Sequence, residues 1–180
     1  MFASCSGDST IRIYDYEFKE QVKILKGHTH SVNTISWAGS VLVSGSSDMT
    51  IKLWKSDNKT NESDFGQFLC FKTLVGHEHS VSKVYNIKNT DITVSCSRDK
   101  TLKFWDRTTG YCRRTINEYH EEWVRCCDAN SDHFLSSGND KKVFVFLLDK
   151  ILNFESHNNS VDCVNAFEVH DNYVESLKVF

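Results

Sequence analysis

Hydrophobic and β-branched residues along this chain fall into short runs that are separated by polar turn residues. One run ends at Val94–Cys96, a turn follows at Asp99, and the next run covers Thr101–Trp105. Short runs bounded by Gly, Ser, Asn and Asp are typical of antiparallel strands joined by tight turns. The sequence has no proline, so glycine and aspartate mark the turns. We therefore expect an all-β fold.

The strand–turn–strand unit around Asp99 is one of four copies. The turn aspartates are Asp8, Asp48, Asp99 and Asp140. A serine lies four residues before each of them, at Ser4, Ser44, Ser95 and Ser136. An aromatic residue lies six residues after each of them, at Tyr14, Trp54, Trp105 and Phe146. Because chance does not place three residue types at fixed offsets four times in 180 residues, the pattern indicates a repeat protein.

Histidines open the successive units. They are His28, His77, His120 and His157, so the steps between them are 49, 43 and 37 residues. The first step is the longest because a polar, aperiodic stretch at 56–66, predicted to be an inserted surface loop, interrupts its unit. Four strands per repeat of about 40–45 residues is the signature of a β-propeller blade. The sequence therefore predicts a single partial propeller over 1–180, with about four blades of four antiparallel strands.

The predicted blade boundaries follow from where the units begin. They are approximately 1–26, 27–75, 76–118 and 119–155, with an incomplete fifth blade at 156–180. We expect Ile151–Phe154 to be the last strand of the fourth blade. Val161–Phe167 and Tyr173–Val179 are then the strands of the fifth.

The recurring polar residues predict a structural hydrogen-bond network. In a blade, the loop histidine, the strand serine, the turn aspartate and the tryptophan N–H can form one chain of hydrogen bonds that satisfies buried polar atoms. Two complete sets are His28, Ser44, Asp48 and Trp54, and His77, Ser95, Asp99 and Trp105. A third set has His120, Ser136 and Asp140 but Phe146, which cannot donate, and the first unit has Tyr14 and no histidine. Four copies at fixed offsets favour this role over catalytic triads, so we expect no enzyme activity.

Composition narrows the function classes. Hydrophobic residues make up 39% of the chain, charged residues make up 25%, and 21 basic against 24 acidic side chains give a net charge of −3. This balance favours neither nucleic-acid nor membrane binding. The seven cysteines are odd in number and form no C-x-x-C pair, which predicts reduced thiols, no metal site and no cofactor. The start at Met1–Ser4 leads directly into repeat sequence and predicts no signal peptide, hence a cytosolic chain.

Several motifs identify a family resemblance. Gly27-His28, Gly76-His77 and Trp105-Asp106 resemble the WD-repeat signature. Longer stretches closely resemble the lissencephaly-1 / nuclear distribution protein family of cytoplasmic dynein regulators, over residues 2 to about 165. These stretches are Leu25–His28 with Asp48–Trp54, Ser97–Trp105 with Thr109–Cys112, and His120–Arg125. The match corresponds to the family's first blade, from its second strand, through the start of its fifth.

The resemblance implies a partner-binding site at Arg98 and Arg125, with Trp123 in support. These residues match positions by which the family contacts the dynein motor ring, and arginine and tryptophan dominate interface hot spots. The resemblance also implies roles in microtubule-based transport, nuclear positioning and division, a cytoplasmic, cytoskeleton-associated location, and an acetylhydrolase catalytic subunit as a second partner. The remaining basic residues of the strands are expected to face solvent without a role, namely Lys52, Lys100, Lys103, Arg113 and Arg114.

Two alternatives stay open at the level of sequence. The chain could be another WD-repeat adaptor, such as a ubiquitin-ligase substrate receptor, although Arg107 lies one place early for the Trp-Asp-x-Arg pattern of that class. The family's seven-bladed ring also needs more strands than are predicted here. The chain is therefore expected to be a partial propeller, a small four-bladed ring, or one half of a ring closed by self-association.

Overall fold

The structure, a computed structural model, describes residues 1–56, 67–154, 161–168 and 170–180. Apart from Ser56, the predicted surface loop at 56–66 lies outside the described residues, as does His157. The described chain is almost entirely β-structure with one short helix. The predicted all-β fold class is confirmed.

The described strands form four antiparallel sheets in chain order. The first sheet contains β1 (Phe2–Cys5), β2 (Ile11–Asp15) and β3 (Glu20–Leu25). The second contains β4 (Val32–Ala38), β5 (Val41–Ser46), β6 (Ile51–Ser56) and β7 (Phe68–Leu74). The third contains β8 (Val81–Asn86), β9 (Ile92–Ser97), β10 (Leu102–Asp106) and β11 (Cys112–Ile116). The fourth contains β12 (Val124–Ala129), β13 (His133–Gly138), β14 (Lys142–Leu147) and β15 (Asn165–Glu168), and the helix α1 (Leu148–Leu152) follows β14.

The turn aspartates build the same hairpin in the first three sheets, and in the fourth Asp140 accepts the N–H of Lys142. Asp48 Oδ1 accepts hydrogen bonds from the N–H and the hydroxyl of Thr50, at 2.9 and 2.6 Å. The Ser46 N–H donates to the Thr50 carbonyl at 3.2 Å and closes the hairpin. A short polar side chain that bonds its own backbone two residues on stabilises such a turn. The residue after each aspartate has a positive φ, at Ser9 (66°), Met49 (68°), Lys100 (70°) and Lys141 (64°).

The hydrophobic core lies between successive sheets. β1 packs on β4, β4 on β8, and β8 on β12, which is the arrangement of neighbouring inner strands in a propeller. A Cβ atom on Gly45 would lie 2.6 Å from Val81 Cγ1 of the next sheet, so this approach requires glycine. Three buried clusters result, one between each pair of adjacent sheets. Together the sheets form a partial β-propeller.

The strand predicted at Ile151–Phe154 is wrong, because the chain forms α1 there. Leu148 and Ile151 lie three residues apart and are both buried, so one face of the helix packs into the core between the third and fourth sheets. Arg114 of β11 donates to the carbonyls of Lys150, Ile151 and Asn153 at the C-terminal end of α1. Arg114 is only 7% exposed, so its predicted solvent-facing position is also wrong.

The strand expected to open a fifth blade completes the fourth sheet instead. β15 pairs antiparallel with β14, from Lys142 opposite Glu168 to Val145 opposite Asn165. It is the outer strand of the fourth sheet, the place predicted for Ile151–Phe154. The strand predicted at Tyr173–Val179 is wrong as well, since residues 170–180 contain no strand. This last segment lies along the β12 side of the fourth sheet and is held by hydrogen bonds to Gly138 of β13 and to Asp128 of β12.

Candidate protein-interaction site

The second sheet contains a complete chain of hydrogen bonds. His28 Nδ1 lies 2.7 Å from Asp48 Oδ2, and His28 Nε2 lies 2.8 Å from Ser44 Oγ. Trp54 Nε1–H donates to the same Ser44 oxygen at 2.8 Å. Because the carboxylate accepts only, His28 carries its proton on Nδ1, and Nε2 accepts from the serine hydroxyl. All four side chains are thereby fixed at the boundary between the turn and the core.

The third sheet repeats this geometry. His77 Nδ1 lies 2.7 Å from Asp99 Oδ2, and His77 Nε2 lies 2.6 Å from Ser95 Oγ. Trp105 Nε1–H donates to Ser95 Oγ at 2.8 Å. Asp99 also accepts the N–H of Glu78 at 3.0 Å, so the loop that follows the histidine is tied to the turn.

The hydrogen bonds keep the carboxylates ionised despite their burial. Burial opposes ionisation of Asp48, but donors from Thr50, His28 and the Thr29 N–H outweigh it and lower its pKa to about 2. The pKa of Asp99 is held well below its usual value by His77 and Thr101, again against the effect of burial. Burial lowers the pKa of His28 although its bond to Asp48 raises it, so the ring is neutral near neutral pH.

The glycine before each of these histidines leaves room for the tryptophan ring. A Cβ atom on Gly27 would lie 3.1 Å from Trp54 Cη2, and one on Gly76 would lie 3.1 Å from Trp105 Cη2. Gly76 also has a φ of 156°. The glycine of each Gly-His pair therefore reflects the close packing of the indole ring against the backbone at that position.

The fourth sheet keeps the histidine bonds and changes the aromatic packing. His120 Nδ1 lies 2.6 Å from Asp140 Oδ2, and His120 Nε2 lies 2.8 Å from Ser136 Oγ. Phe146 takes the position of the tryptophan and Tyr119 takes the position of the glycine. Their rings meet edge-to-face, with centroids 5.2 Å apart. In the first sheet, Tyr14 stacks on Phe2 at 4.8 Å.

The network fixes the loops on which Arg98 and Trp123 lie. Arg98 directly precedes the turn Asp99, and its N–H donates to the Ser80 carbonyl at 3.0 Å. Trp123 directly precedes β12, and its carbonyl accepts the N–H of Asn139 at 2.9 Å. The same backbone bond joins Ser47 to Ser31 in the second sheet, so Trp123 occupies a position where the second and third sheets have serine.

Arg98, Trp123 and Arg125, which we call the arginine–tryptophan face, form one stacked cluster. The Arg98 Cζ atom lies 3.3 Å from the centroid of the Trp123 ring, and the Arg125 Cζ atom lies 6.0 Å from it. Arg125 Nε donates to Asn139 Oδ1 at 2.5 Å, which orients the second guanidinium. In the part of the chain that the structure describes, the buried Nε atom of Arg98 has no hydrogen-bond partner. The structure thus brings together all three residues predicted for partner binding.

The arginine–tryptophan face borders a surface cavity of about 450 Å³. Its remaining walls are polar and come from the second and third sheets and from the last segment, at Asn33, Ser47, Ser80, Ser82 and Glu175. Sequence reasoning missed Glu175 and also Tyr173, whose ring centroid lies 4.2 Å from Arg125 Cζ. Both had been assigned to a strand, and neither carries a motif that would have marked them.

The described residues contain neither a metal-type cluster nor a helix that could span a membrane. Nowhere in the described ranges do three or more His, Cys, Asp or Glu side chains cluster so as to hold a metal ion. The single described helix is too short to cross a membrane.

Comparison with known proteins identifies the repeats. The WD domain, G-beta repeat family matches residues 19–55, 68–106 and 110–146, which together make up more than half of the chain. The chain belongs to this WD-repeat family. The three matches cover the tryptophan-containing second and third sheets and reach Phe146 in the fourth.

Curated relatives of this WD-repeat chain share one name. It is 40% identical over 152 residues to nuclear distribution protein PAC1 of Arthroderma benhamiae, covering 77% of this chain and 31% of that protein. It is 34% identical over 171 residues to nuclear distribution protein nudF of Aspergillus niger, covering 89% of this chain and 37% of that protein. With nudF of Aspergillus flavus it shares 44% identity over 115 residues, covering 61% and 23%. The predicted resemblance is confirmed, and the chain spans about a third of the length of these relatives.

Proposed function

We propose that this chain is a non-catalytic WD-repeat scaffold of the nuclear distribution type, and that its arginine–tryptophan face binds the motor domain of cytoplasmic dynein. The names of the relatives support the first part. The second part rests on the resemblance of Arg98, Trp123 and Arg125 to the positions by which that family contacts the motor.

The stacking of Arg98 on Trp123 is the observation that carries the proposal. The Arg98 guanidinium carbon lies 3.3 Å from the centroid of the Trp123 ring, so the indole already orients this side chain in the free protein. Preorganisation lowers the entropy lost on binding, and a planar guanidinium can hold a carboxylate with two hydrogen bonds. Arg125 adds a second oriented guanidinium at the same cavity. The arrangement is suited to an acidic protein surface.

The buried serines argue against catalysis. Ser44, Ser95 and Ser136 each contact a histidine that contacts an aspartate, as in a hydrolase triad. All three residues have 0% exposure, so no substrate can approach their hydroxyl oxygens. In two of the sets the serine oxygen also accepts the tryptophan N–H. These contacts support a structural role and a non-enzymatic protein.

The contacts of Arg107 weigh against the ubiquitin-ligase alternative. Its guanidinium donates to the Thr90 carbonyl at 2.5 Å and to Thr93 Oγ1 at 3.3 Å, and lies 3.5 Å from Asp91. The side chain is 11% exposed. Arg107 therefore braces the turn between β8 and β9, and little of it is left for a ligase subunit.

Under this proposal the chain works in the cytoplasm on microtubules, in transport, nuclear positioning and division. An acetylhydrolase catalytic subunit is a second proposed partner. Affinity purification tests the partner class directly. We expect the tagged chain to recover dynein heavy chain and a chain with Arg98→Ala and Arg125→Ala to recover far less. Ubiquitin-ligase subunits in place of dynein would overturn the proposal.

A further inference from the structure

The segment of residues 170–180, which we call the strap, follows the free edge of β12. The Val174 N–H donates to the Gly138 carbonyl at 3.0 Å, and the Val179 N–H donates to Asp128 Oδ2 at 2.9 Å. The Lys178 ammonium lies 3.0 Å from the same carboxylate oxygen. Val174 is buried, with 5% exposure. The strap is therefore docked at two points, at the end of β13 through Gly138 and at Asp128 of β12.

On either side of Val174 the strap brings one side chain to the arginine–tryptophan face. The ring of Tyr173 covers the guanidinium of Arg125, with 4.2 Å between Cζ and the centroid. Glu175 lines the same cavity as Arg98 and Trp123. The strap thus places an aromatic ring on Arg125 and a carboxylate in the cavity beside Arg98, and these are the two groups that guanidinium ions recognise best.

The contacts of the strap near Tyr173 are weak enough to exchange. Residues 170–180 form no strand, and their backbone donates to the Gly138 carbonyl of β13 and to the Asp128 side chain of β12. Tyr173 is 42% exposed and the Lys178 side chain is 72% exposed, so each gives up little buried area on leaving. The Asp128 side chain is only 4% exposed, so its bonds to Lys178 and to the Val179 N–H hold the far end of the strap, and the exchange concerns the end that carries Tyr173. Val174 is the one apolar anchor of the strap that is buried.

We propose that the strap is an intramolecular occupant of the arginine–tryptophan face, and that this face binds extended segments in which an acidic residue follows an aromatic residue at the second position. Partner segments of this chemistry compete with Tyr173 for Arg125 and with Glu175 for the cavity beside Arg98. The inference rests on the proposed function for the identity of the partner but not for the chemistry of the face.

The test uses the full chain and a fluorescent peptide with the sequence of residues 170–180. The receiving chains are the wild type and a chain with Tyr173→Ala and Glu175→Ala, which keeps Val174 in place. Binding is followed by fluorescence anisotropy. We expect the peptide to bind the variant at least about tenfold more tightly, because the face is no longer occupied in cis. A chain with Tyr16→Ala and Glu17→Ala, an exposed pair in the first sheet, is the matched control and should behave as the wild type.

Two further samples identify the contacts. Adding Arg125→Ala to the variant chain should abolish capture of the peptide, and so should alanine at the tyrosine and glutamate of the peptide itself. Equal peptide affinity for the wild-type and variant chains, or no capture by either, overturns the proposal. Capture that survives Arg125→Ala also overturns it.

Dynein motor binding by the same chains separates this inference from the proposed function. Peptide capture without motor binding supports the strap and contradicts the dynein assignment. Motor binding that needs Arg98 and Arg125 but is equal for the wild type and the Tyr173→Ala, Glu175→Ala chain contradicts the strap and leaves the dynein assignment standing.

Discussion

Tyr119 packs edge-to-face on Phe146, with 5.2 Å between ring centroids, where the second and third sheets pair a glycine with a tryptophan. In the fourth sheet a tyrosine replaces the glycine and the smaller phenylalanine replaces the tryptophan. The Tyr119 hydroxyl also donates to the Val161 carbonyl at 2.7 Å and accepts the Cys163 N–H at 3.1 Å. The fourth sheet therefore compensates for its missing tryptophan and gains a tie to the segment before β15.

This relationship predicts coupling between positions 119 and 146. Phe146→Trp alone should lower the free energy of unfolding by about 1–3 kcal/mol, because the indole meets the Tyr119 ring in a packed core. Combining it with Tyr119→Gly should recover part of that loss, although the bonds of the tyrosine hydroxyl are gone. Urea denaturation of the wild type, both single variants and the double variant measures the coupling. Additive losses would show that the two rings do not substitute for the glycine–tryptophan pair.

The serine at the centre of each network should matter more where a tryptophan donates to it. Ser95→Ala removes the acceptor of Trp105 Nε1–H and the partner of His77 Nε2, which leaves two buried groups unpaired. We expect a loss of about 2–4 kcal/mol in unfolding free energy. Ser136→Ala leaves only His120 without its partner, since Phe146 has no donor. This variant should lose about half as much unfolding free energy. Urea denaturation of both variants is the measurement, and equal losses would contradict the network as described.

The network should make stability rise with pH. The unfolded chain protonates His28 below its ordinary pKa while the native chain resists it, so stability falls as the pH drops from about 7 toward 5. Asp48 has a native pKa of about 2, so its contribution is present above the ordinary carboxyl pKa and is lost as the pH falls toward 2. Chemical denaturation across this range measures both steps. His28→Gln should flatten the first step and Asp48→Asn the second, and unchanged slopes in these variants would contradict the assignment.

Neighbouring arginines of β11 should differ sharply in their effect on stability. Arg114 donates to three carbonyls at the end of α1 and is buried, so Arg114→Ala should cost about 2–4 kcal/mol. Arg113 has a 43% exposed side chain and lies 3.7 Å from Asp106, so Arg113→Ala should cost less than about 1 kcal/mol. Urea denaturation of the two variants distinguishes them. A similar small effect at both positions would mean that α1 is not held by Arg114.

Those parts of the fold that depend on contacts close in sequence could be predicted. The aspartate turn bonds Thr50 two residues on, and the tryptophan reaches a serine ten residues back, so both leave a fixed spacing in the sequence. The contacts that decided the end of the chain span far larger separations. Arg114 reaches α1 from 36 to 39 residues away, and the strap meets Asp128 from 51 residues away. No local pattern records these contacts, so the helix and the strap were both mistaken for strands.

The candidate site likewise has a part that could be predicted from the sequence and a part that could not. The resemblance to the nuclear distribution family supplied Arg98, Trp123 and Arg125, while their stacking depends on a loop approach between the third and fourth sheets. Tyr173 reaches Arg125 only because the strap turns back along β12. The sequence marks neither of these approaches.

Binding of the dynein motor domain by the arginine–tryptophan face is tested by the equilibrium affinity of the purified chain for a purified motor fragment, measured at one fixed salt concentration. Arg98→Ala combined with Arg125→Ala should weaken binding at least roughly 30-fold, as expected for loss of a hot spot of about 2 kcal/mol. Arg113→Ala, which removes an arginine that lies 5.2 Å from the ring centroid of Phe154 and away from this face, should leave the affinity unchanged. Equal affinity of the wild type and the double variant would contradict the account.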